Sequence, residues 1–184
     1  MHNLLKNDYS GFADPTQNIK QFGLREGMHV ADIGVGSGYY VLPTAKLVGS
    51  SGRVYAVDVQ KELLSGIKDK AKKEGLSNVE IVWGDAERPN GTKLKDKSID
   101  AIILSNILFQ VRDKLGLISE CKRILKENGK ILLIDWTEPV GKLGPRISDL
   151  VSKDKVKELF EMKSFKQMGE ISAGSHHYGI IFCI

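Results

Sequence analysis

The sequence feature that most constrains the fold is a short apolar stretch that leads directly into a glycine-rich turn. Residues 30–33 read VADI and residues 34–38 read GVGSG. A short apolar run is typical of a buried strand, and glycines after it let the main chain turn sharply and approach a ligand closely. The stretch therefore predicts a strand, a ligand-binding turn and a helix, the opening unit of a doubly wound α/β fold.

Strand-like and helix-like stretches alternate along the remaining chain, which indicates a mostly parallel sheet with helices on both faces. Seven strands are predicted, at residues 30–33, 53–58, 79–83, 99–104, 131–134, 165–171 and 178–184. Helices are predicted from Asp14 to Gly23, over residues 39–48, through Leu63, Ile67 and Ala71 to Gly75, from Val111 through Leu125 to Asn128–Gly129, and after Ser152. Pro43 lies within the second of these helices, where we expect a lost backbone hydrogen bond and a kink.

Composition and length indicate one ordinary globular domain, which we expect to cover residues 1–184. The chain is 41% hydrophobic and 27% charged, and no apolar run approaches the ~20 residues of a membrane span. The first residues lack the layout of a secretory signal, so we expect a cytoplasmic protein. Cys121 and Cys183 lie in apolar patterns without metal-ligand spacing, and we expect no metal site.

The formal net charge is +4, a sign that nucleic-acid-binding proteins share. The basic residues, however, alternate with acids, as where lysines at positions 68, 70, 72 and 73 surround Asp69 and precede Glu74. Mixed charge of this kind is typical of a helix face in solvent. The charge therefore admits a nucleic-acid partner without favouring one.

Three acidic residues lie at the ends of three consecutive predicted strands, namely Asp32, Asp58 and Asp85. Asp58 can accept hydrogen bonds from both hydroxyls of a ribose, and Asp85 from an adenine amino group, with the Ala86 amide facing the ring. A simple helix N-cap is the alternative for Asp85. A dinucleotide would place a pyrophosphate beside Asp32, whereas S-adenosylmethionine carries sulfonium and ammonium groups that a carboxylate attracts. Tyr39 also stands where the dinucleotide pattern requires glycine, so the residues favour S-adenosylmethionine.

In combination, these stretches resemble the class I S-adenosylmethionine-dependent methyltransferases. VADIGVGSG (30–38), VYAVD (54–58) and NVEIVWGDAE (78–87) are similar to their first three motifs, and residues 98–104 and 123–134 to their fourth strand and the helix and strand after it. The resemblance runs from about Phe12 to the end and implies that the last strand is antiparallel and inserted beside the fifth. It implies a cofactor site formed by Asp32, Gly34, Gly36, Ser37, Gly38, Asp58, Val59, Gly84, Asp85, Ala86 and Ser105.

Within this family the sequence looks closest to quinone-biosynthesis C-methyltransferases and unassigned small-molecule methyltransferases, which implies a small-molecule acceptor. Residues 104–108 read LSNIL, so the Asn/Asp-Pro-Pro-Tyr/Phe motif of enzymes that methylate amino groups of adenine or glutamine is absent. The cysteines of arsenite methyltransferases and a separate recognition domain are absent too. Two alternatives stay open: an RNA or protein methyltransferase that works with a partner subunit, and a non-catalytic S-adenosylmethionine-binding module.

The acceptor is expected beyond the C-terminal ends of the strands. Expected substrate-side residues are the N-terminal segment 1–27 with Tyr9 and Phe12, Tyr39 and Tyr40, Ser105 and Asn106, residues 136–146, and the closing loop 173–177. In this loop, His176 and His177 are candidate general bases, and at most one should face the substrate because adjacent residues of an extended segment point oppositely. A polar turn with a solvent-facing histidine is the alternative. The acceptor and the oligomeric state stay open.

Overall fold

The computed structural model describes residues 13–184 of the chain. Its elements in chain order are α1 (Pro15–Phe22), β1 (His29–Ile33), α2 (Val41–Val48), β2 (Arg53–Asp58), α3 (Lys61–Lys73), β3 (Val79–Trp83), β4 (Ile99–Ser105), α4 (Lys114–Ile124), β5 (Leu125–Trp136), a 3₁₀ turn (Ile147–Asp149), α5 (Lys153–Glu161), β6 (Lys166–Ile171) and β7 (His177–Cys183). Within this part of the chain, none of the helices has the length and apolar character that a membrane span requires.

The seven strands form one sheet in the order β3-β2-β1-β4-β5-β7-β6. Strands β1 to β5 pair in parallel, and β7 is antiparallel to both β5 and β6. The predicted doubly wound sheet with an antiparallel last strand beside the fifth is therefore confirmed. Because β1 pairs with β2 on one side and β4 on the other, the chain changes winding direction at β1, where ligands of such sheets bind.

The predicted first helix is confirmed with both of its end signals. Asp14 Oδ1 accepts a hydrogen bond from the Thr16 amide at 2.8 Å, which caps the first turn of α1. Gly23 ends the helix with φ of 77°, the left-handed conformation that favours glycine. Local chemistry alone therefore determines where this helix begins and ends.

The prediction that Pro43 breaks a hydrogen bond in α2 is wrong. The helix begins at Val41, so Pro43 is its third residue, and the first backbone bond of the helix joins the Thr44 amide to the Tyr40 carbonyl at 3.0 Å. Amides in the first turn have no acceptor within a helix, and a proline there removes nothing.

The predicted end of the fourth helix is also wrong. Helix α4 ends at Ile124, and β5 begins at Leu125, which pairs with Ile99 of β4. Leu125 fits the helical spacing of the apolar residues before it, which is why the sequence predicts a longer helix. In the structure, Leu125 is buried as a strand residue instead. Gly129 lies inside β5, close to a register shift between the pairs of Ile99 and Ala101, where an added Cβ would contact the Leu125 side chain. Gly129 therefore allows the irregular pairing of β5 and does not end a helix.

Alternate residues of the central strands face two separate layers of the core. Ile102 and Leu104 pack on the side of α4 and α5, whereas Ile103 packs on the side of α1, α2 and α3. Strand residues point alternately to opposite faces, so a sheet covered on both sides needs continuous apolar runs. The helices cover the two faces of the sheet and leave the C-terminal ends of the strands open. The candidate site lies at these ends.

Candidate functional site

Two adjoining cavities lie at the C-terminal ends of the central strands. The first measures about 400 Å³ and the second about 310 Å³. Gly34, Gly36 and Gln110 line both, so the glycine turn after β1 forms their common wall. An elongated ligand that crosses this turn could therefore reach both cavities.

The predicted glycine turn is present, and its members have different roles. Gly34 has φ of 71°, and a Cβ there would collide with the Ile107 side chain. Gly36 has φ of 51°, and nothing lies within 4 Å of the position of its Cβ. Gly38 lines neither cavity but packs closely against Ile67 of α3. Gly36 therefore offers its main chain to a ligand, whereas Gly34 and Gly38 allow the turn to pack.

Asp58, the last residue of β2, lines the second cavity and also holds the glycine turn. Its Oδ2 accepts a hydrogen bond from the Gly36 amide at 3.1 Å, and its Oδ1 from the Gln60 amide at 2.9 Å. A carboxylate oxygen has two lone pairs, so each can still accept a hydrogen bond from a ribose hydroxyl. The carboxylate that the sequence predicts for ribose binding therefore also stabilises the glycine turn through backbone amides.

Asp32 lines the first cavity and is only 3% exposed. No group among residues 13–184 donates a hydrogen bond to its carboxylate. Burial raises the pKa of Asp32 to about 7, with a smaller contribution from the nearby negative charge of Asp58. A buried carboxylate without a protein donor is stabilised by a cationic ligand more than by any other.

The two neighbouring tyrosines of the predicted substrate side differ in burial, one ring being buried and the other exposed. Tyr40 is buried, and its hydroxyl accepts a hydrogen bond from Asn18 Nδ2 at 2.8 Å. Tyr39 is 62% exposed at the rim of the first cavity. The bond from Asn18 ties α1 to Tyr40 in the wall of the first cavity, which Ala13 also lines, and a role of the segment 1–27 on the substrate side stays a prediction. The predicted residues Tyr9 and Phe12 lie outside the described residues.

The loop after β3 brings Gly84, Asp85 and Ala86 to the second cavity, together with Val59. Asp85 Oδ1 accepts a hydrogen bond from the Glu87 amide at 3.0 Å, and Oδ2 pairs with Arg88 Nε at 2.9 Å. No helix follows Asp85, so its alternative role as a helix N-cap does not apply. The predicted cofactor residues Ser37 and Ser105 line the first cavity.

The two histidines of the closing loop lie in different surroundings. His177 is the first residue of β7, lines the first cavity and is 7% exposed, and its ring lies 4.2 Å from that of Trp136. Both of its ring nitrogens are buried without a hydrogen-bond partner, and burial, aided by His176, lowers the pKa to about 4. His176 contacts Glu138 Oε1 through Nδ1 at 3.1 Å and does not line the cavity.

Sequence reasoning missed two residues that shape the site. Gln110 lines both cavities, and no periodic or motif signal marks it. Asp135 is buried in β5 and accepts hydrogen bonds from the Leu108 amide at 3.1 Å and the Trp136 amide at 2.8 Å. Burial raises the pKa of Asp135 to about 6. An acid inside an apolar strand was a detectable signal, because buried carboxylates usually have a defined partner.

Comparisons with known proteins agree with this arrangement. A family model described as "Methyltransferase domain" matches residues 24–178. The ubiquinone/menaquinone biosynthesis C-methyltransferase UbiE of Marinomonas sp. (strain MWYL1) is 31% identical over 135 residues, which are 73% of this chain and 53% of that protein. The demethylmenaquinone methyltransferase of Staphylococcus aureus (strain MRSA252) is 32% identical over 122 residues, 66% of this chain and 48% of that protein. The chain thus spans about half the length of these curated relatives.

Solved structures share the fold over most of the chain. A SAM dependent methyltransferase from Aquifex aeolicus matches with a TM-score of 0.85 and 30% identity, covering 94% of this chain and 91% of that chain. The [4+2]-cyclase SpnF matches in fold alone, with a TM-score of 0.73 and 19% identity, covering 88% of this chain and 59% of that chain. The fold by itself therefore does not define the reaction.

Proposed function

The chain belongs to the class I S-adenosylmethionine-dependent methyltransferase family, and from this premise we propose that it transfers the methyl group of that cofactor to a small-molecule acceptor. The observation that carries the proposal is the Asp32 carboxylate, buried in the first cavity beside the glycine turn without a donor among the described residues. A sulfonium and an ammonium group are the charges that such a carboxylate stabilises.

The residues of the two cavities fit the two ends of this cofactor. In the proposed arrangement the adenosine end occupies the second cavity, where Asp58 accepts from the ribose hydroxyls and Asp85 and Ala86 face the adenine. The methionine end crosses Gly36 into the first cavity and meets Asp32. The open space at Gly36 and the shared wall of the cavities support this path.

The cofactor, when bound, supplies a methyl carbon whose bond to sulfur breaks while sulfur keeps the electron pair. The contribution of this chain is to hold an acceptor in line with that bond, and positioning of this kind is worth about 7–11 kcal/mol. Tyr40 and Trp136 line the first cavity, where they give an acceptor an aromatic surface to pack against. Asp32 stays ionised once a cation binds beside it, because an opposite charge lowers a carboxyl pKa.

The names of the relatives support a carbon atom as the acceptor. The two curated relatives are a C-methyltransferase of quinone biosynthesis and a demethylmenaquinone methyltransferase. The first cavity, whose lining includes the apolar or aromatic side chains of Trp136, Tyr39 and Leu143, favours a small apolar molecule over a polymer. A non-catalytic or non-methylating role for the same cofactor site is the second candidate, because the fold neighbour SpnF is named a cyclase.

Calorimetry with S-adenosylhomocysteine and NAD tests the cofactor assignment. We expect S-adenosylhomocysteine to bind and NAD to give no heat, because a pyrophosphate is repelled by Asp32 beside the turn. Binding of NAD without binding of S-adenosylhomocysteine contradicts the proposal.

The acceptor class is tested with methyl-labelled S-adenosylmethionine in a cell extract that is separated after reaction into small molecules, RNA and protein. We expect the label in the small-molecule fraction. Label in RNA or protein supports the alternative with a partner subunit, and cofactor binding without transfer supports the binding module.

A further inference from the structure

The connection between β3 and β4 forms the adenine side of the proposed cofactor site without a helix of its own. It spans residues 84–98, begins with the cavity-lining residues Gly84, Asp85 and Ala86, and contains only turns and irregular backbone. Connections of about 12–15 residues or more without secondary structure are uncommon in compact domains and are often functional. Because no helix fixes the backbone here, the shape of this cavity wall depends on contacts from elsewhere in the fold.

Glu120 of α4 holds the middle of this connection. Its side chain is buried, and its Oε2 accepts a hydrogen bond from the Asn90 amide at 3.0 Å. Its Oε1 accepts from the Thr92 amide at 3.0 Å and from the Thr92 hydroxyl at 2.6 Å. Asn90 has φ of 59°, a left-handed conformation that persists where surrounding contacts impose it. One carboxylate thus fixes the residues on both sides of Gly91.

Gly91 transmits this restraint to the cavity wall. Its carbonyl accepts a hydrogen bond from the Asp85 amide at 3.1 Å. A Cβ at Gly91 would collide with the Asp85 carbonyl, and a Cβ at Gly84 would collide with the Gly91 carbonyl. Because the two segments are in direct backbone contact, a displacement of residues 90–92 displaces Asp85 as well. Glu120 lines neither cavity, so its influence on the second cavity passes through this contact.

Arg123 keeps the Glu120 carboxylate charged and oriented. Its Nε donates to Glu120 Oε2 at 2.9 Å and its Nη2 to Oε1 at 2.7 Å, a two-point contact that fixes the plane of the carboxylate. Its Nη1 donates to the Leu94 carbonyl at 2.8 Å, farther along the same connection. Burial by itself raises the pKa of Glu120, but the hydrogen bonds from Arg123 and Thr92 outweigh it and lower the pKa to about 2. The carboxylate is therefore ionised at neutral pH.

We propose that Glu120 is a positioning residue for the adenine end of the cofactor: it holds residues 90–92, and through them Asp85, without contacting the ligand. The inference rests on the proposed function, because it concerns the adenine wall of that site. It predicts that Glu120 sets the preference for an adenine ring. A residue that only stabilises the fold leaves this preference unchanged.

The test compares two ligands that differ at one position of the purine ring, measured by calorimetry on the full chain. S-adenosylhomocysteine carries the 6-amino group whose hydrogen bond Asp85 is expected to accept. S-inosylhomocysteine carries an oxygen there, which cannot donate to a carboxylate. We expect the parent protein to bind S-adenosylhomocysteine about tenfold or more tightly, the effect of a hydrogen bond to a charged group. The ratio of the two affinities is the readout.

The variant Glu120→Gln keeps the size of the side chain and removes its charge. Whichever way the new amide is oriented, its NH₂ group faces a backbone amide of the connection and a guanidinium nitrogen of Arg123, so one restraint is lost. We expect the ratio of affinities to fall about fivefold or more below that of the parent, because Asp85 is no longer held against the adenine.

The matched control is Asn78→Ala, which also removes a buried polar side chain that is bonded to the backbone. Asn78 Nδ2 donates to the carbonyls of Ala45 and Gly49 at 2.8 Å each, and none of these three residues lines the second cavity. Its loss should lower the unfolding free energy, which urea unfolding measures, because two carbonyls lose a donor. The ratio of affinities should stay the same as in the parent.

The variant Thr92→Val is a milder form of the same test. It removes the hydroxyl contact with Glu120 and keeps both backbone amides that donate to the carboxylate. We expect it to lower the ratio about threefold, the effect of one net hydrogen bond. If Glu120→Gln does not fold, an unchanged ratio in Thr92→Val overturns the positioning role.

The outcomes separate this inference from the proposed function. Failure of S-adenosylhomocysteine to bind the parent protein contradicts the proposed function itself. Equal binding of the two ligands by the parent contradicts the adenine contact of Asp85 and the positioning role with it. A preference that survives in folded Glu120→Gln, or one that falls equally in Asn78→Ala, overturns the positioning role of Glu120 alone.

Discussion

The carboxylates that line the second cavity already accept hydrogen bonds from the protein, whereas the polar side chains of the first cavity have few protein partners. Asp58 and Asp85 are both held by backbone amides. Asp32 and His177 have no hydrogen-bond partner among the described residues. In the second cavity, the carboxylates that we expect to contact the ligand are therefore the same carboxylates that stabilise the backbone of the fold. In the first cavity, buried polar groups that lack hydrogen-bond partners among the described residues lower the stability of the fold, and a ligand can supply partners for them.

This difference predicts that Asp58→Ala affects both ligand affinity and folding. We expect the affinity for S-adenosylhomocysteine to fall by about 1.5–3 kcal/mol, the scale of a charge-assisted hydrogen bond. The unfolding free energy should fall by about 1–3 kcal/mol as well, because the amides of Gly36 and Gln60 lose their acceptor. Calorimetry and denaturant unfolding measure the two effects. Asp69→Ala, an exposed acid on α3, is the matched control and should change neither. Normal stability of Asp58→Ala would remove the distinction between the cavities.

The first cavity predicts opposite pH dependences for binding and stability. Because the pKa of Asp32 is raised to about 7, the affinity for S-adenosylmethionine should fall about tenfold from pH 8 to pH 6, as protonation removes the carboxylate charge. The folded chain binds protons more tightly than the unfolded chain at Asp32 and at Asp135, whose pKa is raised to about 6. The unfolding free energy should therefore decrease as the pH rises from about 4 to about 7. The decrease is partly offset by His177, because its pKa is lowered to about 4 and its contribution to stability increases with pH over this range.

The variant Asp32→Asn isolates the contribution of this carboxylate. It should lower the affinity for S-adenosylmethionine at pH 8 on the order of tenfold and flatten its pH dependence. At the same pH it should raise the unfolding free energy, because a buried charge without a partner is removed. Calorimetry across the pH range and urea unfolding at pH 8 give both values. An unchanged slope of affinity against pH in Asp32→Asn would assign the titration to another group.

The smallest expected effects separate the two histidines. Once an acceptor is known, His177→Asn should raise its KM and change kcat by less than about threefold, because the substitution reshapes the cavity wall that His177 lines without removing a general base. His176→Asn removes the contact with Glu138, which lies outside the first cavity, and should change KM less. A 10²–10⁴-fold fall in kcat for His177→Asn would instead support a general base. With S-adenosylmethionine at saturation, no activity limb due to His177 should appear near pH 6.5, because the pKa of His177 is lowered to about 4.

Much of the cofactor half of the site was predictable because its signals are local. The strand, the glycine turn and Asp32 are contiguous, and Asp58 and Asp85 each end or follow a short apolar run. Parallel strands bring their C-terminal ends to one edge of a sheet, so the order of elements alone implies that these residues meet. Ten of the eleven predicted cofactor residues line one of the two cavities, and Gly38 supports the turn instead. Their binding of the cofactor stays a prediction.

The sequence by itself determined the family, the seven strands and the acids at the strand ends, because periodicity, turn glycines and strand-end carboxylates act over a few residues. Only the tertiary structure decided that α4 stops at Ile124, that Asp135 anchors the segment before Gln110, and that His177 rather than His176 lines the cavity. Each of these depends on which distant segment lies alongside. Pairing with β4, burial and the loss of hydrogen-bond partners arise only when residues far apart in the chain come into contact.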